Sequence, residues 1–231
     1  LTSHMDLHLE SGATIKAPDN FAEYGLPDPT QPFPQKTPPG GLSESEAFSG
    51  RLIPRPLIAG KDLTDVAITG SGTIDGSGGE FWKWSDKAAN HFPPGRRIVG
   101  RPELIHLDNI RRLRVAGVTL TNSPMFHLVP SGDDLTIENL RIIAPAEAPN
   151  TDAIDPAGHR IVIRNCEIDT GDDNVALRGG SSDILIENLT CRHGHGISVG
   201  SGTRGGLSHV VVRNCTFDGT SNGLRLKSAR G

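Results

Sequence analysis

The sequence lacks the features that mark membrane proteins and nucleic-acid-binding proteins. No apolar run approaches the ~18 residues of a membrane-spanning segment, so we expect no membrane partner. The formal net charge of −4 at pH 7 provides no excess of basic residues, and binding to nucleic acid normally requires a basic face. The sequence also shows no signal-peptide pattern, so the cellular compartment is unknown from the sequence alone.

Cysteine is scarce, with three residues in 231. Cys166 and Cys215 each follow an asparagine in matching repeats that lie two repeats apart. In strands stacked about 4.8 Å apart, two repeats would separate the sulfur atoms by roughly 10 Å, which is beyond the reach of a disulfide. Cys191 lies in the repeat between them. We therefore expect three buried free thiols, no metal site and no cofactor.

Turn residues are abundant, with 28 glycines and 17 prolines, and no segment has the pattern of a long amphipathic helix. Five segments instead share one sequence pattern, in which a run of alternating apolar and polar residues is followed by a turn and a second, shorter run. They are residues 113–120, 135–142, 161–168, 184–191 and 210–217. Apolar and polar residues alternate within each run, and this pattern predicts half-buried strands.

The turn in four of these repeats contains an asparagine, at positions 139, 165, 188 and 214, with spacings of 26, 23 and 26 residues. A period in the 20s is typical of stacked coils. Asparagine tolerates the left-handed backbone of a sharp turn, and stacked amides can hydrogen-bond along a column. Parallel strands without intervening helices, together with the usual hand of crossovers, predict an all-β, right-handed parallel β-helix, that is, a solenoid.

We expect residues 1–231 to form one such domain. Each coil buries its apolar residues only against its neighbours, so we also expect the complete protein to have further N-terminal and C-terminal coils. Residues 18–50 and 78–100 lack clear periodicity and are predicted to be loop excursions, which are often functional. One of them is expected to close the substrate cleft. Trp82 and Trp84 are expected to pack the second excursion onto the coil wall rather than to stack on a sugar.

Polar residues cluster in four short stretches near the C-terminal end of the sequence: residues 150–155, 171–177, 194–199 and 222–227. Each stretch contains one apolar residue that we place in a common column of stacked strands, and these are Ile154, Val175, Ile197 and Leu224. This register predicts that Asp152, Asp173 and His195 lie above one another about 5 Å apart. It places Asp172 beside them, and Arg225 and Lys227 on one face of the next strand.

Crowded carboxylates repel one another, which raises the pKa of at least one of them. A carboxyl that stays protonated near neutral pH can donate to a leaving oxygen while an ionised partner activates water, as in glycosidases. Cations on the adjacent strand would counter a carboxylate on the substrate. Each motif alone is more often an ordinary turn or a solvated surface. Their convergence on one face of one repeat favours a hydrolase of acidic sugars.

At these residues the sequence resembles the polygalacturonase family of glycoside hydrolases, which degrade pectin. The four family signatures Asn-Thr-Asp, Gly-Asp-Asp, Gly-His-Gly and Arg-x-Lys are matched in order by residues 150–152, 171–173, 194–196 and 225–227. Further similarity lies at residues 7–13, 70–76 and 122–127. Asn174 is a departure, since many members have cysteine there. The resemblance implies a secreted or periplasmic monomer that acts on an acidic polysaccharide such as pectin or polygalacturonate.

The resemblance also implies the reaction, namely inverting hydrolysis of α-1,4-linked galacturonate by either endo or exo attack. Asp172 would be the general acid, Asp152 and Asp173 would activate the water, and His195 would tune the charge state of the acid. The substrate would be bound by Asn150, Arg225 and Lys227, the last two through its carboxylate. Inversion requires carboxyls roughly 6.5 to 9.5 Å apart. We therefore expect at least one separation between Asp172 and the base pair in that range.

Two other functions fit part of the pattern. In a calcium-dependent pectate lyase, the aspartates would hold the metal ion and Arg225 would be the base, although His195 among them fits hydrolysis better. A non-catalytic carbohydrate-binding β-helix would explain the coils but not the four motifs. Among hydrolases, a rhamnogalacturonan-cleaving relative remains open, but two cations in the site favour plain galacturonate chains.

Overall fold

A computed structural model describes residues 1–26, 54–83, 100–200 and 202–227. The described residues form short strands and one helical turn. In chain order these are β1 (Met5–Leu9), β2 (Thr14–Lys16), β3 (Ile58–Lys61), β4 (Thr64–Gly70), β5 (Thr73–Asp75), α1 (Gly79–Trp82), β6 (Ile105–Ala116), β7 (Thr119–Thr121), β8 (Leu128–Glu138), β9 (Arg141–Ile143), β10 (Ala157–Arg164), β11 (Glu167–Asp169), β12 (Val175–Leu177), β13 (Ser181–Glu187), β14 (Thr190–Arg192), β15 (Ile197–Val199), β16 (Leu207–Arg213), β17 (Thr216–Asp218) and β18 (Leu224–Leu226). Within these ranges no helix is long and apolar enough to span a membrane.

The strands stack into three parallel sheets. The first has the order β1-β4-β6-β8-β10-β13-β16, with β3 also pairing with β6. The second runs β2-β5-β7-β9-β11-β14-β17, and the third runs β12-β15-β18. Apart from β3 and β4, which both pair with β6, strands that follow one another in the sequence lie in different sheets, and each strand pairs with the corresponding strand one coil away. This arrangement is a parallel β-helix, and the predicted fold class is confirmed.

The five sequence repeats stack in the predicted register. Leu113 aligns with Leu135, Leu135 with Ile161, Ile161 with Ile184, and Ile184 with Val210. The first four of these side chains are buried, and Val210 packs against them. Because the same position points inward in every coil, the core is a continuous aliphatic stack along the solenoid.

The turn asparagines adopt the expected left-handed conformation. Asn139, Asn165, Asn188 and Asn214 have φ of 56°, 55°, 56° and 54°. The Asn188 amide Nδ2 donates to the Asn165 Oδ1 at 3.0 Å, so one stacked amide pair forms as predicted. The asparagines thus turn the chain between the first and second sheets at the same point of successive coils.

The cysteines are free, as predicted, but only two of them are buried. Cys166 and Cys191 lie in the core, and burial raises their thiol pKa values to about 11 and about 12. Cys215 is only partly buried. The expectation of three buried thiols was therefore wrong for Cys215, which lies in the last described repeat.

The predicted excursions fall largely outside the described residues, which do not include 27–53 or 84–99. Trp84 lies in the second of these gaps. The described part of the first excursion packs on the described part of the second. The Phe21 and Phe81 ring centroids lie 4.6 Å apart, and Tyr24 is edge-on to Phe81 at 5.6 Å. The Trp82 indole nitrogen donates to the Ser123 carbonyl at 3.0 Å. This contact ties α1 to the coil wall, as expected for Trp82. The excursion boundaries and the domain limits stay predictions.

Candidate active site

The apolar column that the sequence predicts is present and brings four coils together. Ile154 bridges to Val175, Val175 pairs with Ile197, and Ile197 pairs with Leu224. The stretch before each of these residues therefore lies at the same edge of the solenoid. Backbone hydrogen bonds continue the stacking there, from Ala153 to Asp173 at 2.9 Å and from His195 to Asp172 at 3.0 Å.

Three carboxylates meet at this edge. Asp152, Asp172 and Asp173 are exposed by only 6%, 7% and 1% of their surface. One carboxylate oxygen from each lies within 4.8 Å of the others. Such a buried acidic cluster is costly unless its members are neutralised by protons or cations. The structure therefore brings together the three aspartates that the sequence singles out.

The separation between these carboxyls differs from the expected one. Their nearest oxygens lie within 4.8 Å throughout the cluster, whereas roughly 6.5 to 9.5 Å was expected for carboxyls that admit a water between them. Measured between the closest oxygens, the expected separation of Asp172 from Asp152 or Asp173 was wrong. The separation therefore provides no support for inversion.

Asp173 is neutralised by two cations from β18 and the residue after it. The Arg225 Nη2 contacts one of its oxygens, and the Lys227 Nζ contacts the other at 2.5 Å. The buried Ser198 hydroxyl also donates to Asp173, at 2.6 Å, and accepts a hydrogen bond from the Arg225 Nε at 3.0 Å. The two cations predicted to bind substrate therefore also compensate a buried carboxylate of the protein itself.

Asp172 faces a different set of partners. The His195 Nε2 lies 3.7 Å from its Oδ1, while the His195 Nδ1 lies 2.7 Å from the Ser221 hydroxyl. The Asn150 amide donates to the Asp172 Oδ2 at 3.5 Å. The predicted column placed His195 above Asp173, but its carboxylate neighbour is Asp172. That position suits a histidine that influences the charge of Asp172.

Arg101 positions Asn150 and was not identified from the sequence. Its Nη2 donates to the Asn150 Oδ1 at 2.7 Å, and its Nη1 donates to the carbonyls of Pro124 and Pro149 at 2.9 Å and 2.5 Å. Because the amide oxygen is held by Arg101, the amide nitrogen is directed toward Asp172. A single arginine after a segment without periodicity carries no sequence signal for this role.

The predicted rise in carboxyl pKa is present at Asp152. Burial raises its pKa well above the ordinary value, and the charges of Asp155, Asp172 and Asp173 raise it further. Asp155 has a raised pKa of about 7, because the effect of its burial exceeds the opposing effect of Arg178. The cluster thus retains a proton at a pH at which an isolated aspartate has lost it.

A cleft of about 260 Å³ opens over the cluster. Five of the predicted site residues line it, namely Asn150, Asp152, Asp172, Asp173 and Lys227, whereas His195 and Arg225 do not. Residues that were not identified from the sequence complete the walls, and these are Phe126, Asp155, Ala176, Arg178, Gly200 and Gly202. Asp155 and Arg178 are the missed charged residues. The sequence does contain a signal for both residues. Asp155 directly follows the column residue Ile154. Arg178 lies three residues after the column residue Val175, and Lys227 lies three residues after Leu224.

His127 is not part of this cleft. It is fully buried, accepts a hydrogen bond from the Ser123 N–H at Nε2 and contacts the Asp152 carbonyl through Nδ1. Burial lowers its pKa to about 4. His127 therefore packs as a neutral side chain beneath the site.

The cluster is poorly suited to calcium. Calcium takes six to eight oxygen ligands. The acidic group that could hold an ion consists of Asp152, Asp172 and Asp173, each offering one ligand oxygen. Both oxygens of Asp173 are engaged by Arg225 and Lys227. A divalent cation would lie beside these two positive charges, so the donor set disfavours the metal-dependent alternative.

Comparisons with known proteins agree with this geometry. Residues 44–231 match the sequence family described as Glycosyl hydrolases family 28. A polygalacturonase of Juniperus ashei is 43% identical over 178 residues, which cover 73% of this chain and 34% of the relative. A probable polygalacturonase of Vitis vinifera is 32% identical over an alignment that covers all of this chain and 47% of the relative.

Solved structures show the same architecture. A polygalacturonase from Erwinia carotovora superposes with a TM-score of 0.79 at 30% identity, covering 99% of this chain and 60% of that one. An exopolygalacturonase from Thermotoga maritima superposes with a TM-score of 0.75 at 28% identity, covering 99% and 57%. The chain thus spans between about a third and three fifths of the length of these four proteins.

Proposed function

Because the chain belongs to the glycosyl hydrolases of family 28, we propose that its cleft hydrolyses α-1,4-linked galacturonate with inversion of configuration. The observation that carries the proposal is the buried cluster of Asp152, Asp172 and Asp173 beside His195. Galacturonate chains carry one carboxylate per unit, and the cleft offers cations to meet it. The names of the relatives point to the same substrate class.

In the proposed reaction, Asp172 gives its proton to the glycosidic oxygen as the bond to the anomeric carbon breaks. A water molecule attacks that carbon from the opposite face and loses its proton to Asp152 or Asp173, which act as general bases. Asp152, whose pKa is raised by burial, takes this role when it has lost its own proton. The products are a new reducing end and a released hydroxyl. His195, 3.7 Å from Asp172, would favour the ionised form of that carboxyl after proton transfer when it is itself charged.

Substrate binding is assigned to Asn150, Arg225 and Lys227. Asn150 has its amide held by Arg101 and directed toward Asp172. Arg225 and Lys227 sit at the edge of the cluster on one strand face, where a uronate carboxylate can share them with Asp173. An arginine fork and a lysine point charge are the groups that recognise a carboxylate in this setting.

Inversion is proposed on the family resemblance and not on the distance. Oxygens within 4.8 Å would by themselves suit a retaining pair, whose carboxyls lie roughly 5 to 5.5 Å apart. In a cluster of three, however, a nucleophilic water can lie beside Asp152 and Asp173 rather than between the acid and a single base. The anomer formed first therefore decides the stereochemistry.

The mode of attack is linked to the predicted excursions. One of the structural relatives is named an exopolygalacturonase. We propose that one of the two excursions closes one end of the cleft in this chain. Short products from the first time point are then expected. A ladder of intermediate oligomers would show that the cleft is open at both ends.

The test is a proton NMR time course on polygalacturonate. The β-anomer of the new reducing end is expected first, because attack from the face opposite the leaving group inverts the α-configuration. The α-anomer first would show retention. Vinylic protons of an unsaturated uronate would show elimination, which is the lyase reaction. No change in the spectrum would contradict a galacturonate hydrolase.

The variant that tests the general-acid role is Asp172→Asn, because it keeps the shape of the side chain and removes the acidic proton. Turnover is expected to fall by about 100-fold or more, the size of a general-acid contribution, while binding of oligogalacturonate is kept. Asp169→Asn is the control, because Asp169 lies in the same coil but pairs with His193 away from the cleft. Equal activity of the two variants would contradict the role of Asp172.

A further inference from the structure

Arg178 occupies the same position in its coil as Lys227 does two coils later. Each lies three residues after a member of the apolar column, Val175 for Arg178 and Leu224 for Lys227. The strands β12, β15 and β18 are adjacent, so the two backbone positions are about 10 Å apart along the solenoid. Both side chains line the cleft.

The guanidinium of Arg178 is held in a defined orientation. Its Nη2 contacts a carboxylate oxygen of Asp155, whose side chain is 2% exposed. The guanidinium carbon lies 5.6 Å from the centre of the Phe126 ring, within cation–π distance. The side chain is nevertheless 41% exposed. Its Nε is buried and has no hydrogen-bond partner among the described residues, so the part of the guanidinium that Arg178 can present to the cleft is the Nη1 side.

The other two cations of the site have a competing carboxylate partner in Asp173. An incoming polyanion also meets four aspartates in the cleft wall, at positions 152, 155, 172 and 173. Whichever of these carboxyls are ionised repel a substrate carboxylate, and that repulsion has to be offset where each substrate carboxylate lies. Of Arg225 and Lys227, only Lys227 lines the cleft, and it can do this only near its own coil, which is the last of the third sheet.

We propose that Arg178 binds the carboxylate of a second galacturonate unit, two coils toward the N-terminal side of the unit held by Lys227. This inference rests on the proposed function and extends it to a second acidic subsite. The planar fork of arginine binds a carboxylate by two parallel hydrogen bonds, and a guanidinium can keep one nitrogen on Asp155 meanwhile. The subsite would require an unesterified unit, since a methyl ester has no charge.

The competing explanation is that Arg178 serves only to neutralise Asp155. A variant without the arginine would then be impaired because a carboxyl is left buried without its cation. The double variant Asp155→Asn/Arg178→Gln separates the two roles. It removes both charges of the pair and keeps side chains of similar size.

The experiment measures KM and kcat on polygalacturonate and on partly methyl-esterified polygalacturonate. For Arg178→Gln we expect KM on the unesterified polymer to rise about 10- to 100-fold, the range of a charge-assisted hydrogen bond, with a smaller change in kcat. The preference for the unesterified polymer should fall. Arg178→Lys should lie between the wild type and Arg178→Gln. Arg160→Gln is the control, because Arg160 pairs with Asp134 on the outer surface.

The double variant decides the outcome. If Arg178 binds substrate, Asp155→Asn/Arg178→Gln keeps the raised KM and the weakened preference. A return of both to wild-type values would show that Arg178 only compensates Asp155, and the inference would be overturned. A wild-type protein that fails to hydrolyse polygalacturonate would overturn the proposed function and the second subsite together. An active wild type with unchanged Arg178 variants would overturn the subsite alone.

Discussion

Single residues set the electrostatic character of the site through the partners that each carboxylate has. Asp173 has two cations and a serine hydroxyl, Asp172 has a histidine and an amide, and Asp155 has one arginine. For Asp152 and Asp155, one buried oxygen each has no hydrogen-bond partner within the described part of the chain. Burial raises the pKa of Asp152 and Asp155, so these two carboxyls hold a proton more readily than an isolated aspartate does.

The raised pKa of Asp155 predicts an unusual dependence of stability on pH. Its pKa is about 7 in the folded protein against an ordinary 3.8, so the folded state holds the extra proton between about pH 4 and pH 7. Stability therefore falls as the pH rises through this window, by a contribution of about 4 kcal/mol. Urea unfolding of wild type and Asp155→Asn at several pH values should show the variant becoming relatively more stable toward pH 7.5.

Asp134→Asn is the control for this prediction. Asp134 is an exposed carboxylate whose pKa is lowered, chiefly by its hydrogen bond with Arg160. A lowered pKa contributes stability that is present above the unfolded value and lost only as the pH falls below it. Above about pH 5, Asp134→Asn should therefore follow the wild type at a constant difference. Parallel curves for Asp155→Asn as well would contradict the raised pKa of Asp155.

At the scale of the coil, the turn between two strands depends on one left-handed residue. Asn188 has φ of 56° and donates its amide to Asn165 in the preceding coil. The strands on either side, β13 and β14, belong to different sheets. The turn therefore directs the chain from one sheet to the next and keeps successive coils in the same register.

Substitution of Asn188 should separate backbone conformation from the amide contact. Asn188→Ala is expected to lower the free energy of unfolding by about 1 to 2 kcal/mol, because alanine is strained in the left-handed region. Asn188→Gly should cost less, since glycine adopts that conformation readily. The measurement is urea unfolding at fixed pH. Equal losses for the two variants would mean that the amide contact, not the backbone, is what the turn requires.

At the scale of the whole molecule, the described coils of the first two sheets share one aliphatic core, and a small separate cluster contains Phe21, Leu26 and Phe81. Ile163 is fully buried and stacks between Ile137 and Ile186 of the adjacent coils. Its neighbour Val162 points to the other face of the same strand and is only partly buried. Because a coil contacts chiefly its two neighbours, stability depends on interfaces of this kind.

A cavity in the middle of this stack should be costly. Ile163→Ala is expected to reduce the free energy of unfolding by about 2 to 5 kcal/mol, as for other large-to-small core changes. Val162→Ala, one residue away, should lower the free energy of unfolding by less than about 1 kcal/mol, because the Val162 side chain is only partly buried. Both are measured by urea unfolding. Similar losses at the two positions would contradict the inward and outward alternation of β10.

The sequence by itself determined the solenoid and the register of its coils. In a parallel β-helix, one turn of the chain corresponds to one repeat, so spacings along the sequence translate directly into neighbours in space. The asparagine turns and the column from Ile154 to Leu224 follow from this relation. The meeting of Asp152, Asp172 and Asp173 follows as well, since each lies close to its column residue.

Only the tertiary structure decided which side chain contacts which. Long side chains reach across one or two coils, so the contacts of Arg225 and Lys227 with Asp173 and of Arg178 with Asp155 depend on rotamers and burial rather than on spacing. The same holds for Arg101, which comes from a segment without repeat and orients Asn150. The separation of the carboxyls was misjudged for this reason. Repeat spacing specifies where a backbone lies, but the direction of a side chain is set by packing with neighbours that are distant in sequence.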